Sequence, residues 1–580
     1  MLDAEAIRSL LRAGEYTRLI AIVEALPAVD RDATPVQLAL GLSLLRLGHH
    51  EEADRTARRL IECDPHITDA YTLRAAALRA MGDLAAAFAV LRSAVALHPG
   101  QAAFWRILGE VRDLLPADDR PTRRTILARA HAAAPGDTQV RRAYALALAQ
   151  ASGEARFAIA PETALAVAER AIRVDPGCGE ARSAKLFARQ CLDTQPSDSM
   201  LQDAVDAAAA HAHGIVARHP TAPRRAGPLR IGFLACGLAY SSVRHFMAGL
   251  FAHHDPAAVS ISLYDHCPAT DDDYARLTDR IRVVDVAALA NPELADRIAA
   301  DAIDVLVDLV GHGWYGQRLG VMARRPAPVQ IAYCGYLGTL GLPAVDWFFS
   351  DSAIHPSDGR ERYVERLLPL PNWICYAPPA TAPAIALRSD GGPVVFGSFN
   401  QLGKVSPDCL KLWRAVLDAV PDCRLLVKRQ DLRGYEREFR ERMRAHGLPV
   451  ERVDLDARTD PHRDHLAAYA GIDVALDTYP YSGATTACEA LWMGVPVVAL
   501  SGATAVSRMS RSILRAASLE HWCSDDIASA VAVARTLADD RAGRQRFRAE
   551  ARDRLTASPL CDAPAFSRAF EAACRSTTGA

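Results

Sequence analysis

The first third of the chain repeats itself with a period of 34 residues. Three pairs of positions share this offset, and each pair has one residue type. They are Gly48 and Gly82, Ala53 and Ala87, and Pro65 and Pro99. Glycine suits a tight turn between helices, alanine allows two helices to approach closely, and proline ends a helical unit. The pattern predicts stacked pairs of antiparallel helices, which bury one continuous core.

A weaker echo of the period continues through Pro135 and Pro176, at spacings of 36 and 41 residues, so the later repeats are degenerate or carry insertions. A period of 34 residues is that of the tetratricopeptide repeat (TPR). A generic helical bundle is the alternative, and the three coincident offsets favour the repeat. We therefore predict a TPR-like region over residues 1–218, with a groove that binds a peptide or protein partner.

Composition disfavours several other classes of protein. The 67 basic and 69 acidic residues give a net charge of −2, whereas nonspecific nucleic-acid binding needs a concentrated basic surface. No apolar run approaches the roughly 20 residues that span a bilayer, and charges interrupt the first 26 positions, unlike a signal peptide. The 13 cysteines include no CxxC pair. We expect a cytoplasmic protein without a membrane span or a nucleic-acid partner.

The sequence changes character after a proline-rich stretch at residues 219–228. From Leu229 onward, short β-branched runs alternate with helical windows, and a second Pro/Ala/Gly-rich stretch at residues 377–393 divides the series in two. Such alternation predicts parallel sheets covered on both faces. The predicted fold class is α + α/β: a TPR α-solenoid, then two Rossmann-like domains at residues 229–385 and 390–580. Nucleotides bind in such folds at the carboxyl ends of the strands.

A complete phosphate-binding unit follows the apolar strand Val474 to Leu476. Gly483 supplies a turn, and Thr485 and Thr486 open a helix. The first backbone N–H groups of a helix are unpaired and lie at the positive end of its dipole, so they attract anions. Glu489 shares the face of the two threonines about one turn further along. One site would then hold a diphosphate and a ribose, with an ordinary capped helix as the alternative.

The second Rossmann-like domain begins with a strand that runs directly into Asn400, Gln401 and Lys404. Two amides and one ammonium group would then lie at the mouth of the cleft. A lysine in this place can neutralise the charge that develops on a leaving diphosphate. A solvated loop lysine is the alternative, and the neighbouring motifs favour the functional role.

Four motifs in order resemble the O-linked N-acetylglucosamine transferase (SPINDLY-like) family, whose members place TPR repeats before a GT-B catalytic region. The motifs are Arg325-Pro326-Ala327-Pro328-Val329-Gln330, Gly335-Tyr336-Leu337-Gly338-Thr339, Phe399-Asn400-Gln401-Leu402-Gly403-Lys404 and Thr485-Thr486-Ala487-Cys488-Glu489-Ala490-Leu491-Trp492. The resemblance covers the chain from about Leu38 to the C-terminal helices. It implies a metal-independent enzyme that needs no cofactor and moves a sugar from a nucleotide sugar to Ser or Thr of a protein acceptor. The donor would be UDP-linked, with another nucleotide left open.

The resemblance also implies roles for individual residues. Lys404 matches a contact to the donor diphosphate and Gln401 a contact to the nucleotide. Thr485 and Thr486 match the phosphate-binding pair, and Glu489 stands where an Asp usually takes the ribose hydroxyls. The remaining predicted binding residues are Asn400 beside Gln401, His465 at the place of a histidine packed on the base, Gly338 and Thr339 in the second motif, and Arg508 near the cleft.

Two departures from the family pattern concern the sugar and acceptor side of the site. Ser241 stands where members that use UDP-N-acetylglucosamine carry a loop histidine, and Ala484 replaces the histidine before the two threonines. Either the donor sugar differs or transfer has been lost. His245 matches a second histidine of the same loop and is the predicted catalytic partner of Lys404, with a packing histidine as the alternative. Water relayed to phosphate is the other route for the proton.

No metal site is predicted. The acidic run Asp271 to Asp273 is interpreted as a solvated helix start. The histidine pairs within residues 211–213 and 253–254 lack Cys or carboxylate companions at ligand spacing. The run Gly311 to Trp314 ends an apolar strand and is a candidate lining of the acceptor cleft.

Three functions stay open at this point. The first is a protein O-glycosyltransferase whose TPR groove selects the acceptor, with flagellin as the acceptor by analogy with bacterial relatives and a homodimer left open. The second is a TPR scaffold whose degenerate catalytic region binds a nucleotide or a partner without transfer. The third is a sugar-nucleotide epimerase, which would not ordinarily need a TPR arm.

Overall fold

The computed structural model describes residues 4–115, 122–158, 160–218, 227–313, 318–356, 361–386, 392–458 and 461–578, without the side chains of residues 155–158. Trp314, most of the stretch 219–228 and the predicted domain start at residue 390 lie outside these ranges. The chain forms two compact units: a first unit of Met1–Leu148 with Arg173–Pro176, and a second unit of Ala149–Ile172 with Gly177–Ala580. None of the helices in the described ranges is long and apolar enough to cross a membrane.

The first unit consists of helices, most of which pack on the next helix in the chain. They are α1 (Ala4–Ala13), α2 (Tyr16–Glu24), α3 (Ala28–Arg31), α4 (Thr34–Arg46), α5 (His50–Cys63), α6 (Thr68–Ala80), α7 (Leu84–Leu97), α8 (Ala102–Asp113), α9 (Arg123–Ala133) and α10 (Thr138–Ala158), which continues into the second unit. Helices α4, α6 and α8 start 34 residues apart. Gly48 and Gly82, with φ of 87° and 80°, form the turns after α4 and α6. The fully buried Ala53 and Ala87 lie on the helices that follow those turns. The 34-residue period therefore has the predicted structural basis.

Three helices precede the sheets of the second unit, and the first of them ends in the first unit: α11 (Pro161–Val174), α12 (Gly179–Gln190) and α13 (Asp198–Ala212). Helices α12 and α13 pack on each other. Cys191, directly after α12, and Ala208, on α13, belong to the hydrophobic core that also surrounds the first sheet. By packing, these two helices belong with the first sheet in the second unit.

The first sheet has seven strands, and all neighbouring strands are parallel. The strands are β1 (Leu229–Ala235), β2 (Val259–Asp265), β3 (Arg282–Asp285), β4 (Val305–Asp308), β5 (Val329–Ala332), β6 (Trp347–Ser350) and β7 (Arg366–Pro369), with helices α14 (Arg244–His253), α15 (Asp272–Thr278), α16 (Asn291–Ala300) and α17 (Leu319–Ala323). Their order is β3-β2-β1-β4-β5-β6-β7. The order reverses between β1 and β4, which opens a crevice at the carboxyl ends of these strands. Strand β4 is buried along its whole length, as expected for a strand covered on both faces.

The second sheet has six parallel strands in the order β10-β9-β8-β11-β12-β13. The strands are β8 (Val395–Ser398), β9 (Arg424–Lys428), β10 (Val453–Asp456), β11 (Val474–Leu476), β12 (Val497–Leu500) and β13 (Cys523–Ser524). The helices are α18 (Pro407–Ala419), α19 (Glu436–Ala445), α20 (His462–Ala467), α21 (Thr485–Trp492), α22 (Met509–Ala516), α23 (Ile527–Asp539), α24 (Arg541–Thr556) and α25 (Ala563–Thr577). A reversal between β8 and β11 again marks the crevice.

The last helix, α25, returns to the first sheet domain and packs on α14. The Phe570 ring lies 4.6 Å from that of Phe349, and the Glu571 carboxylate accepts a hydrogen bond from the backbone N–H of Asp255 at 3.0 Å. This crossing closes the two sheet domains into one unit around their shared cleft. Helical repeats followed by two Rossmann-like sheets are the predicted fold class.

Candidate functional site

A cavity of about 650 Å³ lies at the carboxyl ends of the strands, between the two sheet domains. Residues that follow β1, β4 and β5 line one side of it, and residues that follow β8, β9 and β11 line the other. This volume is typical of a pocket that encloses a cofactor-sized ligand. The cleft predicted from the strand pattern is therefore present.

Eight of the predicted site residues line this cavity: His245, Asn400, Gln401, Lys404, His465, Thr485, Thr486 and Glu489. The other three lie outside it. Thr339 donates a hydrogen bond to the Glu365 carboxylate at 2.7 Å, and Gly338, beside Thr339, lines a separate cavity against α12 and α13. Arg508 donates to the carbonyl oxygen of Ile354 at 2.6 Å. The structure thus places these three among contacts that hold loops together, outside this cavity.

The start of helix α21 has no side-chain cap. Its N-cap residue is Ala484, which has no side-chain acceptor for the first N–H groups. The Thr485 hydroxyl is buried and has no hydrogen-bond partner among the described residues, whereas the Thr486 hydroxyl donates to Asn400 Oδ1 at 2.6 Å. The helix start therefore offers unpaired donors to a ligand, and an anion is what such donors and the helix dipole favour.

Asp477, at the end of β11, holds the loop that precedes α21. Its buried carboxylate accepts hydrogen bonds from the backbone N–H groups of Thr478 and Gly483, at 2.8 and 2.7 Å, and from the hydroxyl of Ser510 at 2.5 Å. A Cβ atom at Gly483 would lie 2.8 Å from this carboxylate and 2.7 Å from the Thr486 hydroxyl, so only glycine fits there. Asp477 was not among the predicted site residues, although an acidic residue directly after an apolar strand was a usable signal.

Lys404 extends into the cleft from the short helical turn after β8. Its ammonium group donates to the carbonyl oxygen of Ser482 at 3.2 Å and lies 4.2 Å from the centre of the Tyr481 ring. Both contacts belong to the loop that leads to α21. The ammonium group and the start of α21 therefore face the same part of the cavity, as a diphosphate site requires.

Glu489 forms a buried cluster with two histidines of α20. Its carboxylate lies 2.9 Å from His462 Nε2 and 3.4 Å from His465 Nε2, and only 5% of the residue is exposed. Burial alone would raise the pKa of this carboxyl, but the hydrogen bonds from His462 and His465 outweigh it and lower the pKa to about 2. Glu489 is therefore ionised at neutral pH and can accept hydrogen bonds from ribose hydroxyls. His462 was missed, although it precedes His465 by three positions on one helix.

His245 lies across the cleft from this cluster. Its ring is 5.4 Å from the ring of His462, and Arg244 Nε donates to its Nε2 at 3.3 Å. Burial, and next the charge of Arg244, lower the pKa of His245 to about 4. The imidazole is therefore neutral at pH 7 and a weak proton acceptor.

One group of side chains in the cleft has metal-ligand spacing. The ligand atoms of His245, His462 and Glu489 lie within 4.8 Å of one another and could hold an ion. The hydrogen bond between His462 and Glu489 accounts for the proximity of these two without a metal.

Three basic residues that were not among the predicted site residues line the same cavity. Lys428 is the last residue of β9, Arg429 follows it directly, and Arg458 follows β10. Lys428 is 2% exposed. The signal was a strand, Arg424 to Lys428, whose last residue and the residue after it are both basic, at the carboxyl edge of the sheet. Arg429 and Arg458 pair with Asp431 and Asp456, at 3.3 and 2.7 Å, so these cations add only part of their charge to the attraction for an anionic ligand.

A second cavity of about 560 Å³ adjoins the first and extends towards the first sheet domain. Ser241, Lys404, Tyr481 and Ala484 line both cavities. Most of the second cavity's other lining is apolar, and includes Leu238, Val243, Phe246, Leu309, Val310 and Met509. Both positions where the chain departs from the family pattern therefore lie where the two cavities meet.

The run Gly311 to Trp314 was predicted to line the acceptor cleft. In the structure, one of its residues lines the cavities and another packs in the interior. Gly313 lines both cavities, whereas His312 is buried, with Nδ1 2.8 Å from the Ser183 hydroxyl and Nε2 2.9 Å from the carbonyl oxygen of Leu340. Burial, and next the charge of His211, lower the pKa of His312 to about 3. His312 is thus a neutral packing residue, and Trp314 is outside the described residues.

Comparison with known proteins identifies the family. The family model described as Glycosyl transferase family 41 matches residues 209–375 and 385–570, and a tetratricopeptide repeat model matches residues 68–111. The chain belongs to glycosyl transferase family 41. The predicted resemblance is confirmed, and with it the TPR and GT-B architecture and the enzyme class.

The most similar relatives of this family 41 chain include two plant proteins named probable UDP-N-acetylglucosamine–peptide N-acetylglucosaminyltransferase SPINDLY. The tomato (Solanum lycopersicum) protein is 35% identical over 361 residues, which cover 60% of this chain and 38% of the relative. The Arabidopsis thaliana protein is 35% identical over 360 residues, 60% of this chain and 39% of the relative. The match thus spans about two fifths of the length of these relatives.

A solved structure matches nearly the whole family 41 chain. A mutant of the Thermobaculum terrenum O-GlcNAc transferase is 29% identical to it, with a TM-score of 0.66, and the match covers 97% of this chain and 99% of that one. The fold is therefore shared over nearly the full length of both chains.

Proposed function

We propose that the chain is a protein O-glycosyltransferase that moves a sugar from a nucleotide sugar to a Ser or Thr hydroxyl of a protein acceptor selected by its TPR groove. The observation that carries this proposal is the convergence of Lys404, the uncapped start of α21 and the ionised Glu489 in one cavity. The names of the plant relatives describe transfer of N-acetylglucosamine to peptides, which supports the same class of reaction.

The proposed donor position follows from the charges in the cavity. The diphosphate would lie against the first N–H groups of α21 and the Lys404 ammonium group. The ribose hydroxyls would donate to Glu489, and the base would extend towards His465 and Gln401. Each part of the nucleotide is then opposite a group of matching chemistry, without a metal ion.

In the proposed reaction the acceptor hydroxyl oxygen bonds to the anomeric carbon as the bond from that carbon to the diphosphate oxygen breaks. The negative charge moves onto the leaving diphosphate, where Lys404 and the α21 dipole stabilise it. The hydroxyl proton leaves for a phosphate oxygen, directly or through water. As the bond to the anomeric carbon breaks, the leaving diphosphate gains a terminal phosphate whose second pKa is near 6. This developing group is a stronger base than His245, whose pKa is lowered to about 4.

The second cavity points to an uncharged donor sugar. Its described lining is largely apolar and includes no carboxylate, and Lys404 is the cation in it. Because Lys404 is committed to the diphosphate in this proposal, a sugar carboxylate would be buried without a partner, at considerable cost. We therefore propose a hexose or an N-acylated hexosamine, and disfavour an acidic nonulosonate.

The test uses the purified chain, a panel of nucleotide sugars and two acceptor sources, flagellin and a lysate, with intact protein masses as the readout. We expect an increment the size of a hexose or an acetylated hexosamine with one donor. Binding of a nucleotide and a protein partner without any increment would favour the scaffold. Interconversion of the free donor, followed by NMR in the absence of acceptor, would favour the epimerase.

A further inference from the structure

Helix α12, which precedes both sheet domains in the chain, contacts three loops of the catalytic region with one face. The contacting residues are Ser183, Phe187 and Gln190, spaced four and three positions apart, so they share a face of the helix. The Ser183 hydroxyl lies 2.8 Å from His312 Nδ1, and Gln190 donates to the carbonyl oxygen of Leu337 at 2.9 Å. These contacts are on the loops after β4 and β5.

The middle contact reaches the other sheet domain. The Phe187 ring stacks on Tyr481, with ring centres 5.6 Å apart and planes inclined by 17°. Tyr481 belongs to the loop between β11 and α21 and is 8% exposed. Phe187 is only partly buried, and it lines the donor cavity. A residue of α12 therefore contributes directly to the wall of the cleft.

Tyr481 in turn contacts the lysine that faces the diphosphate position. The Lys404 ammonium group lies 4.2 Å from the centre of the Tyr481 ring, close enough for a cation–π interaction, and donates to the carbonyl oxygen of the next residue, Ser482. The direction of the ammonium group thus depends on where the Tyr481 ring lies. Phe187 restricts that ring by stacking on it.

We propose that Phe187 is a positioning residue: through the Tyr481 ring it holds the Lys404 ammonium group where the donor diphosphate binds. The inference rests on the proposed function for the identity of the ligand. It adds that α12, outside both sheet domains, is part of the donor site. A purely structural role for Phe187 would affect all parts of the nucleotide alike, whereas positioning of Lys404 affects only the diphosphate.

This difference gives the test a readout that does not depend on transfer. Dissociation constants are measured for UDP and uridine, and for GDP and guanosine, with the full chain and its Phe187→Leu, Tyr481→Leu and Lys404→Ala variants. We expect Phe187→Leu to weaken diphosphate binding about fivefold and to leave the nucleoside unchanged, since a cation–π contact is worth about 1 kcal/mol. Phe187→Tyr, which keeps the ring, should restore the affinity.

Two further variants separate positioning from packing. In the Lys404→Ala background, Phe187→Leu should have no added effect, because both changes act on one interaction. Phe104→Leu, the same substitution at a buried ring of the first unit, is the control and should leave nucleotide affinity unchanged. If Phe187→Leu does not fold, the affinities of Tyr481→Leu for the diphosphate and for the nucleoside are compared instead.

Equal weakening of nucleoside and diphosphate, additive effects with Lys404→Ala, or no effect at all would each overturn the inference. Failure of the proposed function looks different, because it is the absence of transfer from every donor. In that case the selective loss of diphosphate binding would still establish Phe187 as a positioning residue of a nucleotide site.

Discussion

Glu489 shows how much of a side chain's chemistry depends on its neighbours. Alone on a buried helix it would be pushed towards the protonated form, because burial disfavours the charge. His462 and His465, one turn apart on α20, reverse this and lower its pKa to about 2. The result is a fixed carboxylate inside a cavity whose other charged lining is basic. Such a group can only accept hydrogen bonds, which suits a pair of sugar hydroxyls.

Replacing Glu489 by Gln should weaken nucleotide binding about tenfold or more, because a charge-assisted acceptor for the ribose is lost. Isothermal titration with the nucleotide and with its 2′,3′-dideoxy analogue measures this. The variant should bind the two ligands almost equally, whereas the wild type should prefer the one with hydroxyls. Glu489→Asp, which keeps the charge, is the matched control. An unchanged preference in Glu489→Gln would remove Glu489 from the ribose site.

Lys404→Ala should abolish transfer and leave the fold intact, since the ammonium group stabilises the leaving diphosphate and contributes little to the core. The rate of transfer should fall at least a hundredfold, in the range found when one electrostatic group of an active site is removed. The control is Lys411→Ala on α18, whose ammonium group is exposed and pairs with Asp408 at 2.7 Å. Unimpaired transfer by Lys404→Ala, with unchanged circular dichroism, would exclude this lysine from the mechanism.

At the scale of elements, α12 and α21 show two ways in which a helix serves a site. Helix α21 contributes its uncapped end, which follows directly from residues next to one another in the chain. Helix α12 contributes its side, through residues that contact loops far away in sequence. The role of α21 was recognisable as a sequence motif. The role of α12 was not, because its contacting residues have the spacing found on one face of any amphipathic helix.

The contact between α12 and His312 predicts a pH dependence of stability. The folded pKa of His312 is about 3, whereas an unfolded imidazole titrates near 6.5. Between these values the unfolded chain binds a proton that the folded chain does not, so stability falls as the pH decreases below about 6.5. From pH 7 to pH 5 the wild type should lose about 2 kcal/mol more than His312→Asn does. Urea unfolding of both proteins at several pH values measures the difference, and parallel curves would contradict the prediction.

At the scale of the whole molecule, the chain joins a repeat unit to a catalytic unit that has its own core. The hydrophobic core around the first sheet includes residues from α12 to α25, and none of its described members comes from residues 4–115. In the proposed function, nucleotide binding would therefore need only the second unit. In the proposed function the first unit would select the protein acceptor, because stacked repeats form extended surfaces for peptides and proteins.

A shortened chain that begins at Thr138 tests whether nucleotide binding and acceptor selection belong to different units. Its nucleotide dissociation constant should stay within about twofold of the full chain, because the residues that line the donor cavity are all retained. Transfer to a protein acceptor should fall more than tenfold if the removed repeats supply the acceptor contacts. Comparing the two proteins by titration and by intact mass tests both halves. Equal transfer by the shortened chain would place acceptor selection in the second unit.

Much of this architecture was predictable from the sequence, because it is local. The offset between Gly48 and Gly82, the alternation of short strands and helices after Leu229, and the threonine pair that opens α21 each depend on neighbours within a few positions or on a simple period. Periodicity and turn chemistry act through the backbone, which every such segment folds in the same way. Family motifs then placed Lys404 and Gln401 in one cleft.

Tertiary structure alone decided which of those residues meet. In the structure, Gly338, Thr339 and Arg508 lie outside the cleft. His462 and Phe187, which no motif indicated, line it. The pKa of Glu489 depends on His462, which lies on a different helix. The direction of the Lys404 ammonium group depends on Phe187, which acts through the Tyr481 ring. Both are contacts between separate elements. The physical reason is that side-chain packing joins residues by distance in space, whereas a sequence pattern reports only distance along the chain.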